Sequence, residues 1–317
     1  MRIQEINELR GHIRFITLKG ELECTDEELQ VLRPMGKSGI DQPQSYVKNG
    51  MNPELSCTQV HYLKGYFLLK HFCDIVSKDT FFSLLQKYIH ELYHGRLVHS
   101  TEFLKLFFNE CFQSSDEAAV RKLKLIADEW LDSKSLPKEL ILKYNNSIPK
   151  NDTLMDELEK VTKWWKQQDR NFKKRKRKKD GNIKLTSNIF ANVPEFVSSL
   201  VTEQLVLVLE KLLELDDISS KTLNYMDSVY KFQNQSPDVQ HRFAELIVKH
   251  RLKAKMNFVE NFLKTHQSMG IYLYGEMKTS SDRTIKAKAT EVFNDVKDEM
   301  DPTMAVNVKE ILFGNQN

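Results

Sequence analysis

Three observations predict an all-α fold for this 317-residue chain. It has only 11 Gly and 8 Pro, set against long segments rich in Leu, Lys and Glu, a composition that favours helix over sheet. Apolar residues recur near helical spacing in most segments, so little or no strand is expected. In the second half, five or six short helical segments follow one another across short turns. Paired short helices without strands are the pattern of an α-solenoid, although no clean sequence repeat is visible.

The elements follow in order. Ile3, Ile6, Leu9, Ile13 and Ile16 predict a helix over 3–18. A short helical signal at 23–34 has Thr25 and Glu28 as a capping box and Pro34 as its stop. Residues 35–53 turn to Gly, Ser, Pro, Asn and Gln without periodicity and read as a surface loop. A helix over 60–77 comes next, then one capped by Asp79 and closed by Gly95, with Phe81, Leu85, Tyr88, Ile89 and Leu92 as its buried stripe. Ser100 caps the helix after it. Residues 118–130 continue the pattern to a break at Ser135–Pro137. A helix bearing Trp164 and Trp165 covers 151–168. Beyond it lie helical segments at 194–215, 220–232, 237–250, 253–266, 281–298 and 302–312.

Composition excludes several classes. The four cysteines (Cys24, Cys57, Cys73 and Cys111) form no CxxC pair and have no regular spacing, which points to reduced thiols rather than a zinc ribbon or disulfide framework. The first residues, MRIQEINELRGHIRF, do not resemble a secretory signal. No apolar run has membrane length, since Glu203, Glu210, Lys211 and Glu214 interrupt the best candidate. A soluble protein without a membrane partner is therefore expected. Net charge is +3, too small to dictate a partner.

Two motifs invite chemistry. His90-Glu91-Leu92-Tyr93-His94 is a literal HExxH, which on a helix sets two imidazoles and a base around zinc. It reads as a decoy. His90 and His94 share the solvent face with Gln86 and Lys87, and an eighteen-residue spacing to a third ligand lands on Gln113, a poor one. Gly95 also ends the helix at once. The other motif is VHYLKGYFLL, Val60–Leu69, with Tyr62 at the head of an apolar helix. A phenol there, followed directly by Lys-Gly, is not something packing alone demands. Gly65 reads as a close-packing residue, and Lys64 as a local ion pair or carbonyl ligand.

VHYLKGYFLL, the helix TEFLKLFFNECF and WLDSKSLP together resemble the segment that follows the zinc site in the metallo-aminopeptidases related to leukotriene hydrolase and aminopeptidase B. Residues 226–251 and 298–312 are similar to the helical C-terminal domain of that family. MGIYLYGEM (269–277) and the basic run described below are most similar to its aminopeptidase O branch. The resemblance implies that residues 1–150 are the tail of a thermolysin-like catalytic domain. It implies a leukotriene hydrolase-type helical superhelix, armadillo/HEAT-like, over 151–317, with a basic insertion at 169–188. It further implies zinc in a full-length enzyme that removes N-terminal residues from peptides, with the Tyr62 hydroxyl donating to the oxyanion of the tetrahedral intermediate. No family HExxH precedes Tyr62, where the only histidines are His12 and His61. The chain alone is therefore expected to bind no zinc and to be inactive. The family's substrate-carboxylate site should fall at 269–271, where this chain has Met, Gly and Ile.

Lys173, Lys174, Arg175, Lys176, Arg177, Lys178 and Lys179 are seven consecutive basic residues. They read as a solvated, disordered insertion and as a localisation signal that could engage an import receptor or RNA. Nucleus, nucleolus or cytoplasm are the expected compartments. The alternative to a peptidase part is a non-catalytic nuclear or nucleolar helical interaction module with this run as its address.

Overall fold

Helix α2 (Gln59–Val76) shows why the chain folds as it does. Val60, Leu63, Lys64, Phe67, Leu68 and Phe72 are its buried residues. Their i, i+3, i+4, i+7, i+8, i+12 spacing is one face of a 3.6-residue helix. The same logic builds the rest of the computed structural model, which describes residues 2–25, 27, 30–32, 59–95, 100–112, 117–145, 153–177 and 193–314. Among these residues there is no strand, and the protein is all-α. It divides into two compact units, Arg14–Ile148 and Met1–Ile13 with Pro149–Asn317.

The unit Arg14–Ile148 holds the second half of α1 (Arg2–Cys24) together with α2, α3 (Lys78–Lys87), α4 (Ser100–Cys111), α5 (Glu117–Asp132) and α6 (Lys138–Asn145). α2 packs on α3 and α5, and α3 on α4. Aromatic rings dominate the core: Phe72 stacks on Phe107 at 4.4 Å between centroids and Phe15 on Tyr144 at 5.2 Å, with Trp130 and Phe67 buried beside them. Such pairs add about 0.5–1.5 kcal/mol beyond area burial.

The other unit contains the start of α1, the long α7 (Thr153–Arg177), the single turn α8 (Glu195–Ser198), and α9 (Thr202–Leu213), α10 (Ser220–Tyr230), α11 (Pro237–Lys249), α12 (Met256–Thr265), α13 (Ile271–Thr279), α14 (Arg283–Val296) and α15 (Pro302–Phe313). α9, α11, α13 and α15 pack each on the next, and α12 on α14. α11 meets α12, and α13 and α15 both meet α14. Alternate helices thus form two layers, the arrangement of a helical solenoid. α7 packs on α9 and α10. Trp165 anchors it, fully buried, its Nε1 donating to Tyr230 Oη at 2.9 Å. Gln204 ties α9 to α7: its amide donates to the Leu154 carbonyl at 2.8 Å, and its Oε1 accepts the Val201 N–H at 3.1 Å.

Several expectations are corrected. The first helix runs to Cys24. The cap of α3 is Ser77, whose hydroxyl accepts from the Thr80 N–H at 3.3 Å, not Asp79. Leu84, at i+3 from Phe81, rather than Leu85 is the second buried residue of α3. Ile89 is exposed, because it lies where the helix widens into a π-turn over Tyr88–Tyr93 and shifts its register. Residues 194–215 are not one helix: the chain breaks at 199–201, where Ser198 and Ser199 hydroxyls donate back to the Glu195 carbonyl. α13 is a helix the sequence pattern does not announce, since Gly270 and Gly275 weaken its signal. The largest correction concerns 169–177. The helix does not stop at 168 but continues to Arg177, because Phe172 is buried and Asp169 accepts from the Ser219 N–H at 2.8 Å and the Thr222 hydroxyl at 2.7 Å. The capping box through Glu28, the loop 35–53, and residues 178–188 of the insertion lie outside the described residues.

Candidate functional site

Tyr62 stands on the first turn of α2, one position off the buried face, and is 68% exposed. It has no hydrogen-bond partner among the described residues. A tyrosine near a core commonly spends its hydroxyl on a buried partner. This one presents its hydroxyl outward.

The turn that carries it is held from the inside. Lys64, two residues on, is 0% exposed. Its Nζ donates to the Gln30 carbonyl at 3.0 Å and to the Ser133 carbonyl at 2.5 Å. Ser133 directly follows α5 and still closes that helix through its N–H to the Glu129 carbonyl at 2.8 Å, so the ammonium sits where the helix dipole is negative. Gln30 faces the end of α1, its Nε2 donating to the Leu22 carbonyl at 2.9 Å and the Thr25 carbonyl at 2.8 Å. One lysine therefore links the first turn of α2 to the ends of α1 and α5. Burial pulls its pKa down to about 8. On the other side of Tyr62, His61 hydrogen-bonds the Val31 backbone. Burial, the largest influence, lowers its pKa, the Val31 bond opposes that, and the Lys64 charge adds to the lowering.

The reading of Lys64 as a carbonyl ligand matches this geometry, while that of Gly65 needs correcting. A Cβ added at Gly65 meets nothing within 4 Å, so close packing does not require glycine there. The partners of Lys64 were not legible in the sequence, because Gln30 and Ser133 lie 34 and 69 residues away. Its only signal was a lysine on the apolar face of a helix.

His90, Glu91 and His94 are all exposed. His90 and Glu91 lie in the π-turn, and His94 follows it at φ 3°, ψ 57°, donating its N–H to the Ile89 carbonyl at 3.0 Å. Gly95 comes next at φ +78°, a left-handed stop that glycine accepts without strain. The two imidazoles are thus not one α-helical turn apart, and the segment does not fit the zinc helix its letters suggest. No cluster of three or more His, Cys, Asp or Glu suited to a metal occurs among the described residues. Cys73 and Cys111 are free thiols, and burial pushes that of Cys111 up. No helix of the described residues is long and apolar enough to cross a membrane.

Of the basic run, Lys173 and Lys174 stand on α7 with Arg175–Arg177 continuing the helix, and Lys178 and Lys179 fall outside the described residues. Lys173 is not a free cation: its Nζ lies 2.6 Å from Asp169 Oδ2 and 3.1 Å from Asp217 Oδ2.

Residues 200–312 match the family Leukotriene A4 hydrolase, C-terminal. Aminopeptidase O from Homo sapiens is 36% identical to this chain over 313 residues, covering 98% of the chain and 36% of the relative. Aminopeptidase O from Rattus norvegicus is 35% identical over the same shares. Leucine aminopeptidase 2 from Coccidioides immitis is 26% identical over 203 residues, covering 63% of the chain and 28% of the relative. The chain spans about a third of the length of these relatives.

Proposed function

The chain belongs to the leukotriene A4 hydrolase and aminopeptidase O family of metallo-aminopeptidases, as its C-terminal portion, and from that premise we propose that it serves a zinc-dependent aminopeptidase whose metal ligands and general base lie outside this chain. The substrates of that enzyme are peptides with a free N-terminus. Tyr62 is the residue this chain contributes to the chemistry. Its phenol donates a hydrogen bond to the oxyanion formed when water adds to the scissile carbonyl, and a donor aimed at developing charge is worth about 2.7–4 kcal/mol of barrier. The zinc implied by the family finds no fitting ligand set among the described residues, and no step of the chain's own chemistry runs through it.

The observation that carries this reading is the contrast within one helical turn. Tyr62 is 68% exposed, while Lys64 is 0% exposed and fixed to two carbonyls. A turn tied down from the inside that presents a phenol with no partner among the described residues is what an oxyanion donor requires, since preorganisation removes the reorganisation cost at the moment of reaction. The test has two arms. The purified chain is assayed for zinc and for turnover of amino-acid amides; stoichiometric zinc lost on His90→Ala and His94→Ala would overturn the reading. In a longer product carrying the upstream catalytic portion, Tyr62→Phe should lower kcat about 10²–10³-fold with KM little changed.

A further inference from the structure

The exposed face of α7 is a ridge of positive charge that begins well before the basic run. Lys160, Lys163, Arg170 and Lys174 are exposed and Lys166 is half-exposed. At 100° per residue these five positions share about a third of the helix circumference, opposite the face that buries Leu158, Val161, Trp165 and Phe172. From Lys160 to Lys174 the ridge runs about 21 Å at 1.5 Å per residue. Between residues 160 and 177 the only acid is Asp169. It lies on the buried side, committed to Ser219, Thr222 and Lys173. Lys163 makes an exposed contact to Glu159 at 3.3 Å, a pairing of little worth in water. Lys160, Lys166, Arg170 and Lys174 have no partner among the described residues.

We propose that this face of α7 binds the phosphate backbone of single-stranded RNA without sequence selection. A straight row of cations a helical turn apart tracks a polyanion, and its affinity comes from counterion release. The face carries none of the stacking aromatics that sequence readout of single strands requires. It also carries no exposed large apolar side chain, which separates it from helices that lie in a membrane interface. A receptor that reads a basic peptide in extended form would have to unwind α7 and strip Lys173 from Asp169 and Asp217. The folded helix suits a backbone ligand better.

The test measures binding of the full 317-residue chain to fluorescein-labelled oligouridylate across about 50 to 200 mM salt, the range over which phosphate binding weakens steeply. A variant with Lys160→Gln, Lys163→Gln, Lys166→Gln, Arg170→Gln and Lys174→Gln keeps the buried face of α7, and circular dichroism with a urea midpoint verifies that it folds. Its affinity at about 50 mM salt should fall more than roughly tenfold, and the slope of log K against log salt should flatten by about 3–4, at about 0.7 for each phosphate no longer neutralised. Lys173→Gln, already paired internally, should move the slope by less than about one. A flattening below about 1 in the five-residue variant overturns the proposal, whether binding then resides in residues 175–179 or nowhere. So do the absence of RNA binding with capture by an import receptor instead, and equal, equally sensitive binding to phosphatidylserine vesicles.

Discussion

Replacing Lys64 by Met keeps most of the volume of its stem and removes only the ammonium. Two charge-assisted hydrogen bonds are lost, to the Gln30 and Ser133 carbonyls, each worth about 1.5–3 kcal/mol. Against that stands the cost of burying the charge. A pKa brought from 10.5 to about 8 corresponds to about 3 kcal/mol at about 1.4 kcal/mol per unit. With the middle of that range, about 4.5 kcal/mol for the two bonds, the difference is a net loss of about 1.5 kcal/mol at pH 7 for Lys64→Met. Lys64→Ala adds about 0.8 kcal/mol per methylene plus a cavity, for a total of about 4 kcal/mol. The pH dependence has a definite sign. The folded pKa lies below the unfolded one, so between about 8 and 10.5 the unfolded chain binds more protons and stability rises with pH. This contribution is complete above the unfolded value and is lost as pH falls through about 8. Urea denaturation of the chain and both variants at pH 7 and pH 10 measures all three quantities. If Lys64→Met is as stable as the unaltered chain at pH 7, or if the gap between them does not widen at pH 10, the lysine is not the clamp described.

Other expected outcomes test the solenoid and its glycines. Trp165→Phe strands the Tyr230 hydroxyl in the core and should cost about 1–3 kcal/mol in urea denaturation. Asp169→Asn should destabilise by a similar amount at pH 7. Burial opposes ionisation of Asp169, but its bonds to Lys173, Thr222 and Ser219 prevail and hold its pKa below the ordinary value. Its stabilisation is therefore present above the unfolded pKa and lost as pH falls through the folded one, and the gap to Asp169→Asn should close in acid. Gly270→Ala places a methyl 2.7 Å from Leu263 Cδ2 and 3.2 Å from the Gln267 carbonyl, so thermal melting should show a loss of about 1 kcal/mol or more. Gly65→Ala enters open space in mid-helix and should raise the melting temperature, by about 0.5–1 kcal/mol in stability.

The helical class and the order of most helices are readable from the residues alone, because amphipathic spacing is a local property that each segment carries within itself. The family pattern was legible for a related reason: it rests on residue types at short fixed intervals. The features that sequence spacing left open depend on partners distant in the chain. The role of Lys64 was set by two carbonyls, one of them 69 residues away. Whether 169–177 is a loose charged linker or a helix could not be read from seven like charges, whose repulsion argues for disorder. Phe172 finding a core and Asp169 finding Ser219 and Thr222 about fifty residues on decide for the helix. The backbone path of His90–His94 was likewise not legible: the solvent-facing side of these residues follows from the sequence, but the π-turn at Tyr88–Tyr93 does not. A motif specifies which groups are available, but their relative placement depends on the local backbone path and on whatever packs against it.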